Sequence, residues 1–288
     1  PKLKLIIIDE EHDSSYKQQD SMRYHARDVA LMRAKRLNIP VVLGSATPAL
    51  ETWHNAQTGK YRLLSLNQRA VTAAKLPQID CIDTTKVHLQ QGLSPQLIAA
   101  LKLRLARKEQ SLLFINRRGY SPVLLCSACH WIAPCLRCSS RLEVHLGQRK
   151  LRCHHCGHEQ KIPPQCPSCG NADLHPTGHG TQRLEQSLQQ MLPGARIARV
   201  DRDSVSCKEA LLDILEQVHN QEIDILVGTQ MLAKGHDFPN LTLVGVIDTD
   251  SALHSPDFRA SERLFAQLMQ VAGRAGRAAI AGQVMIQT

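Results

Sequence analysis

Aromatic side chains are scarce in this sequence: Phe, Tyr and Trp together make up 3% of 288 residues. Broad stacking surfaces for bases or flat cofactors therefore have little material to draw on. Long apolar runs are also missing. Leu5 to Ile8 and Leu112 to Ile115 fall far short of the roughly 20 residues that span a bilayer, so no segment reads as a membrane crossing. Hydrophobic residues at 43% and charged residues at 21% are ordinary values, with no low-complexity tract, and favour neither a disordered nor a membrane class. The phosphate-cradling pattern G-x-x-x-x-G-K-[ST] is absent; the nearest string, Thr58-Gly59-Lys60-Tyr61, lacks both the loop and the hydroxyl. No methionine opens the chain at Pro1, and a strand pattern begins almost at once, which reads as a piece of a longer polypeptide. The lack of a targeting signal then says little about export.

What is present is a positive balance, formally +9, which points to an anionic partner with nucleic acid first in line. Eight thiolates on two Zn²⁺ would bring it to about +5. A mildly basic soluble protein is the competing reading of charge alone.

Lys4 to Asp9 and Pro40 to Thr47 are apolar runs that read as buried parallel strands, with helical spacing over Arg27 to Leu37 between them. The polar stretch 67–93, with Pro77 and Gly92, reads as a linker. A helix over 94–107, N-capped by Ser94 with Pro95 at its first position, then feeds a strand at Ser111 to Asn116. After an interruption rich in cysteine the alternation resumes: helices near 181–191, 208–218 and 260–271, and strands near 196–200, 223–228, 243–248 and 283–286. The expectation is an α/β chain with a partial lobe at 1–66 and a second lobe at 94–123 and 171–288. Both are parallel sheets flanked by helices, and an insertion at 124–170 interrupts the second.

That insertion holds four C-x-x-C pairs, Cys126/Cys129, Cys135/Cys138, Cys153/Cys156 and Cys166/Cys169. Each pair is a knuckle that aims two thiolates at one tetrahedral ion, so four make two Cys₄ zinc sites. Disulfides would suit a small exported scaffold instead. Only five residues separate Cys129 from Cys135, whereas 14 separate Cys138 from Cys153, about the hairpin of a zinc ribbon. The spacing predicts nested pairing: Cys135, Cys138, Cys153 and Cys156 on one ion, Cys126, Cys129, Cys166 and Cys169 on the other. His130, His154, His155 and His158 then stand outside the ligand sets, and Cys81 and Cys207 read as ordinary small side chains.

Three further strings carry chemistry. Ile6-Ile7-Ile8-Asp9-Glu10-Glu11-His12 puts adjacent acids at the carboxyl end of a strand, which suits nucleotide hydrolysis at a sheet edge and equally a solvated turn. Gly44-Ser45-Ala46-Thr47-Pro48 follows the next strand, where its hydroxyls can reach the acidic box or merely cap a helix. In Gln270-Val271-Ala272-Gly273-Arg274-Ala275-Gly276-Arg277, positions 270, 274 and 277 share a face wherever a helix persists. Paired arginines there suit a γ-phosphate, or form a plain basic loop.

In that order and spacing the three strings resemble motifs II, III and VI of helicase superfamily 2, and Ile225 to Asp237 resembles motif V. Tyr24-His25-Ala26-Arg27-Asp28, Asn116-Arg117-Arg118-Gly119-Tyr120 and the cysteine block resemble its replication-restart branch, over nearly the whole chain. The resemblance implies two RecA-like lobes and an ATP-driven DNA helicase, working 3′ to 5′ at forks in the bacterial cytoplasm. Asp9 would hold Mg²⁺, Glu10 would prepare the attacking water, Arg274 and Arg277 would be arginine fingers, and Gln270 would join Asp9 at the nucleotide. Tyr16, Arg23 and Tyr24 would lie in a loop that senses single-stranded DNA; half-buried packing is the other reading of each Tyr. Thr181, after Gly178-His179-Gly180, could meet a DNA phosphate or simply cap its helix. Implied partners are single-stranded and forked DNA, single-strand-binding protein and the primosomal protein PriB, with the same pairing of cysteines. A double-strand translocase or RNA helicase on the same motor, or a zinc-ribbon binding module with an inactive motor, are the alternatives.

Without a phosphate-binding loop, Asp9, Glu10 and the arginines have no positioned substrate. The isolated 288 residues are expected not to hydrolyse ATP. DNA-stimulated phosphate release above background from this chain would overturn that expectation.

Overall fold

The computed structural model describes residues 2–18, 22–67, 76–115, 123–126, 128–129, 131–145, 149–153, 155–177, 181–201, 204–205, 208–229, 232, 238–253, 257–276 and 281–288. They divide into two compact units, Pro1–Arg69 and Ala70–Thr288.

The first unit pairs β1 (Ile6–Ile8) with β2 (Val41–Leu43) in parallel, with Ile7 opposite Val42, joined through helix α1 (Ala26–Leu37) and followed by α2 (Leu50–Gln57). The parallel pairing matches expectation, but of the two strands only Ile8 is buried. Ile7 is 66% and Val42 42% exposed, because a sheet of two strands covered by α1 leaves one face open. α1 ends where Asn38, in the left-handed region at φ 51°, returns its N–H to the carbonyls of Ala34 and Lys35.

What fixes this unit is a buried ion pair. Glu11, one residue past the Asp9-Glu10 pair and 1% exposed, accepts from Arg27 Nη1 at 2.9 Å. It also accepts from Thr52 Oγ1 at 2.9 Å and from the Ala49 N–H at 2.7 Å. Glu11 thus joins the end of β1 to the first turn of α1 and the start of α2, where a helix N-terminus favours negative charge. Burial alone would lower the Arg27 pKa; hydrogen bonds to Glu11 and Asp28 outweigh it and hold the guanidinium above its ordinary value.

In the second unit six parallel strands lie in the order β10-β11-β4-β12-β13-β3. They are β10 (Ile197–Val200), β11 (Ile225–Gly228), β4 (Gln110–Ile115), β12 (Leu241–Ile247), β13 (Gln283–Gln287) and β3 (Gln78–Ile82). β4 is buried throughout and supplies both cores in alternation. Leu112 and Phe114 pack with Val218, Leu226, Val244 and Val271, while Leu113 and Ile115 pack with Leu97, Leu101, Leu184 and Leu243. The helices are α3 (Pro95–Ala106), α4 (Thr181–Met191), α5 (Lys208–His219) and α6 (Ala260–Ala272). Ser94 caps α3 as the sequence predicts, its Oγ accepting the Leu97 N–H.

β3 corrects the linker reading of 67–93. It pairs with β13 at the sheet edge, and Gln283 Nε2 donates to Asp80 Oδ2 at 2.7 Å. An edge strand with one buried residue in five carries too little apolar signal to stand out from a linker. The insertion is an antiparallel sheet, β8-β7-β6-β5-β9, of β5 (Val123–Cys126), β6 (Glu143–His145), β7 (Lys150–Arg152), β8 (Glu159–Lys161) and β9 (Leu174–Thr177). Among the described residues no helix is long and apolar enough to cross a membrane.

Removing one partner of a buried ion pair leaves an uncompensated charge. Arg27→Met is expected to destabilise the first unit by about 3–5 kcal/mol, with Glu11→Gln added in the same chain recovering part of the loss. The two tryptophans, Trp53 in α2 and Trp131 in the insertion, allow a direct check. In a Trp131→Phe background the denaturation midpoint of Trp53 fluorescence should fall, and an unmoved midpoint would refute the claim.

Candidate motor motifs and metal centres

β1 delivers Asp9 and Glu10 to its carboxyl end. Glu10 sits at φ 47°, a left-handed conformation unfavourable for a residue with a side chain, and donates its N–H to Asp9 Oδ1 at 2.9 Å. Its Oε2 is shielded from solvent, has no hydrogen-bond partner among the described residues, and lies 3.5 Å from His12 Nδ1. β2 brings the Gly-Ser-Ala-Thr string alongside: a Cβ built on Gly44 would lie 3.4 Å from Asp9 Oδ1. His12 Nδ1 is 2.7 Å from Ser45 Oγ, and Thr47 Oγ1 is 3.5 Å from His12 Nε2. Ser45 does not cap α2, whose N-cap is Ala49; its Oγ accepts the Thr47 N–H at 2.9 Å and so closes a turn. The two strings therefore form one hydrogen-bonded unit.

Tyr16 is half-buried and donates its hydroxyl to the Asp9 carbonyl at 2.8 Å, tying its loop to the acidic box. Arg23 and Tyr24 are exposed, Tyr24 at 46%. In the second unit Gln270 lies on α6, but the helix ends at Ala272 and Arg274 occupies a following turn, buried at 7% exposure. Helical spacing thus fails to carry Gln270 and Arg274 on one continuous helix, because Gly273 caps α6 and Arg274 bonds back to Val271 in a tighter turn, which Gly276 at φ 69° then leaves. Arg277 lies outside the described residues, as do 116–120, 178–180 and 233–237.

Thr181 starts α4 and is buried, its hydroxyl donating to Asp201 at the end of β10. That hydroxyl is therefore engaged inside the lobe. Burial alone would raise the Asp201 carboxyl, but hydrogen bonds from Thr181 and Ser204 outweigh it and keep its pKa below the ordinary value. Neither Asp201 nor the Glu11–Arg27 pair is singled out by the sequence reading. Each looks like a charged residue beside a motif, and only burial reveals its role.

The cysteines assemble into two groups, Cys126/Cys129/Cys166/Cys169 and Cys135/Cys138/Cys153/Cys156, with the sulfurs of each within 4.8 Å of one another. Sγ separations are 3.6 Å for Cys126–Cys169 and Cys129–Cys166, 3.5 Å for Cys135–Cys156 and 3.6 Å for Cys138–Cys153. Tetrahedral zinc with Zn–S near 2.3 Å needs edges of about 3.8 Å, so both groups fit the ion. All four knuckles share one backbone bond, from the N–H of the first cysteine to the carbonyl five residues on: Trp131, Ser140, His158 and Asn171, at 2.8 or 2.9 Å. The Cys126 thiol is held down to about 6, chiefly by the Cys129 N–H, while the Cys169 thiol of the same group is pushed up to about 12 by hydrogen bonds among the four sulfurs. A small core of Leu124, Ala133, Leu142, Val144 and Leu151, with Trp131 against it, lies beside the sulfurs.

The family model for the helicase conserved C-terminal domain matches residues 177–279. The model for the PriA DNA helicase Cys-rich region matches residues 135–161. Replication restart protein PriA of Haemophilus influenzae is 52% identical over 286 residues, covering 99% of this chain and 39% of that protein. The chain belongs to the PriA family. The Bacillus subtilis PriA is 46% identical, covering 99% of this chain and 36% of its own, and the Rickettsia conorii protein 47%, covering 99% and 44%. The chain thus spans about two fifths of the length of these PriA relatives. Among solved structures, Saccharomyces cerevisiae Dbp5 bound to RNA and ADP BeF3 is 15% identical with TM-score 0.47, covering 99% of this chain and 53% of its own.

The Cys-rich region of this PriA-family chain therefore holds two Cys₄ zinc-binding sites, nested as the spacing predicts. Small metal-built units draw much of their folding free energy from the ion. Metal analysis should find two zincs per chain. Chelation should shift Trp131 fluorescence to that of exposed indole while the helical circular dichroism of the second unit persists. One zinc per chain, or simultaneous loss of helix, would overturn this.

Proposed function

We propose that this chain is part of the motor of an ATP-driven DNA helicase that tracks 3′ to 5′ on single-stranded DNA and restarts abandoned replication forks. The observation that carries the reading is the acidic box hydrogen-bonded through His12 to Ser45, in a chain that also holds two Cys₄ centres and is 52% identical to a replication restart protein. In the longer protein ATP and Mg²⁺ supply the phosphoanhydride and the charge that neutralises it. Asp9, exposed beside Gly44, would hold the metal's water shell, and Glu10, its Oε2 near His12, would take a proton from the attacking water. Gln270 contacts the nucleotide, and Arg274 and Arg277 meet the γ-phosphate from the second lobe. His12 then reports occupancy of the acidic box to Ser45 and Thr47, and Tyr16 reports it to the loop bearing Arg23 and Tyr24, which contacts the single strand. The zinc-bearing insertion serves strand separation or assembly with single-strand-binding protein and PriB, not hydrolysis.

In the longer protein Arg274→Ala is expected to lower ATP turnover by roughly 10³-fold, with DNA affinity little changed. Steady-state ATPase rates and oligonucleotide binding, measured side by side, test it. Equal losses in both would make Arg274 a phosphate-contacting residue of the DNA site and sink the finger assignment.

A further inference from the structure

The sheet of the zinc-bearing insertion has two unlike faces. On β6, β7 and β8 the central row is Val144, Leu151 and Gln160, the first two buried against the sulfur-lined core. The flanking rows point the other way. One is Glu143–Arg152–Glu159, in which charges alternate in sign, as neighbouring strands favour. The other is His145–Lys150–Lys161: two lysines directly opposed across adjacent strands, with an imidazole on the third.

Opposed like charges destabilise a strand pair, and the neighbouring row shows that this sheet accommodates carboxylates in the same setting. Lys150, half exposed, reaches the adjacent row, 3.2 Å from Glu159, which also lies 3.7 Å from Arg152. One carboxylate is thus shared between two cations, and Lys161 is exposed with no ion pair among the described residues. Arg149 is exposed beside Lys150 at the end of the β7 hairpin. The Cys₄ site that contains Cys153 would bring net negative charge, but Cys153 is three residues from Lys150 along the strand, about 10 Å. At physiological salt that exceeds a screening length of about 8 Å.

We infer that the His145–Lys150–Lys161 row is a binding face for the phosphate backbone of single-stranded DNA. It rests on the helicase reading, and places on the zinc-bearing insertion a contact separate from the Tyr16 loop of the first unit. The row crosses three strands and so spans about 10 Å, enough to meet more than one backbone phosphate. Its cations are lysines and it contains no Phe, Tyr or Trp, so the contact is sequence-independent and salt-sensitive.

The experiment measures binding of fluorescent oligothymidylate by the 288-residue chain across a salt series, with zinc content determined for each variant. Lys150→Ala/Lys161→Ala should weaken binding about tenfold and flatten the slope of log affinity against log salt by about 1.4, the loss of two single-strand phosphate contacts. Lys150→Arg/Lys161→Arg should keep both. Wild-type affinity and slope in the alanine variant, with two zincs bound, would overturn the inference and leave the helicase reading standing. Intact DNA binding with loss of a protein partner would overturn it too, as a protein-docking face. Failure of the wild-type chain to bind the oligonucleotide would count against both.

Discussion

A parallel strand buried on both faces must find every hydrogen-bond partner in its two neighbours, since no water reaches it. β4 is under that constraint for its full length, held between β11 and β12, and the second unit is arranged around it. Its alternating side chains seed both cores, and close approach by α3 and β4 leaves β12 room only for glycine: a Cβ at Gly245 would sit 2.6 Å from Leu113 Cδ2 and 2.9 Å from Leu97 Cδ1. Such a strand cannot yield to whatever follows it. The insertion that begins at β5 must be self-supporting, and with so small an apolar core it needs metal in place of burial.

The first unit meets a different constraint. Its sheet is too small to bury charge cheaply, yet Glu11 is almost wholly enclosed. Three donors from two other elements justify that position, and they fix the chain on either side of the acidic box. Glu10 can then hold a strained left-handed backbone beside Asp9, with strain at the reactive position offset by a satisfied ion pair one residue away.

Much of this was legible from pattern alone. Helices α3 to α6 fall within a residue or two of their expected spans because their apolar spacing is clear, with Ser94 and Pro95 also marking the start of α3, and the pairing of the zinc ligands follows from two gap lengths. Elements without such agreement were hidden. β3 is polar and at an edge, and β6, β7 and β8 are three residues each, too short for alternation to register. Arg274 has helical spacing from Gln270, but the helix ends at Ala272, with Gly273 as its C-cap, before Arg274 is reached. Glu11 reads as one more acid in an acidic string, since sequence does not distinguish a buried carboxylate from a solvated one.

The nesting of the metal sites has a mechanical consequence. β5 and β9 are the two strands by which the insertion joins the lobe, paired from Val123 opposite Thr177 to Cys126 opposite Leu174. The outer four sulfurs come from Cys126 at the end of β5 and Cys129 just past it, and from Cys166 and Cys169 before β9. Tension that separates Val123 from Thr177 would unzip this ribbon one rung at a time and then arrive at metal–thiolate bonds. The inner site lies beyond that clasp along the chain, and its three strands meet β5 only where Glu143 faces Val123, so load on the neck reaches the outer sulfurs before the inner ones.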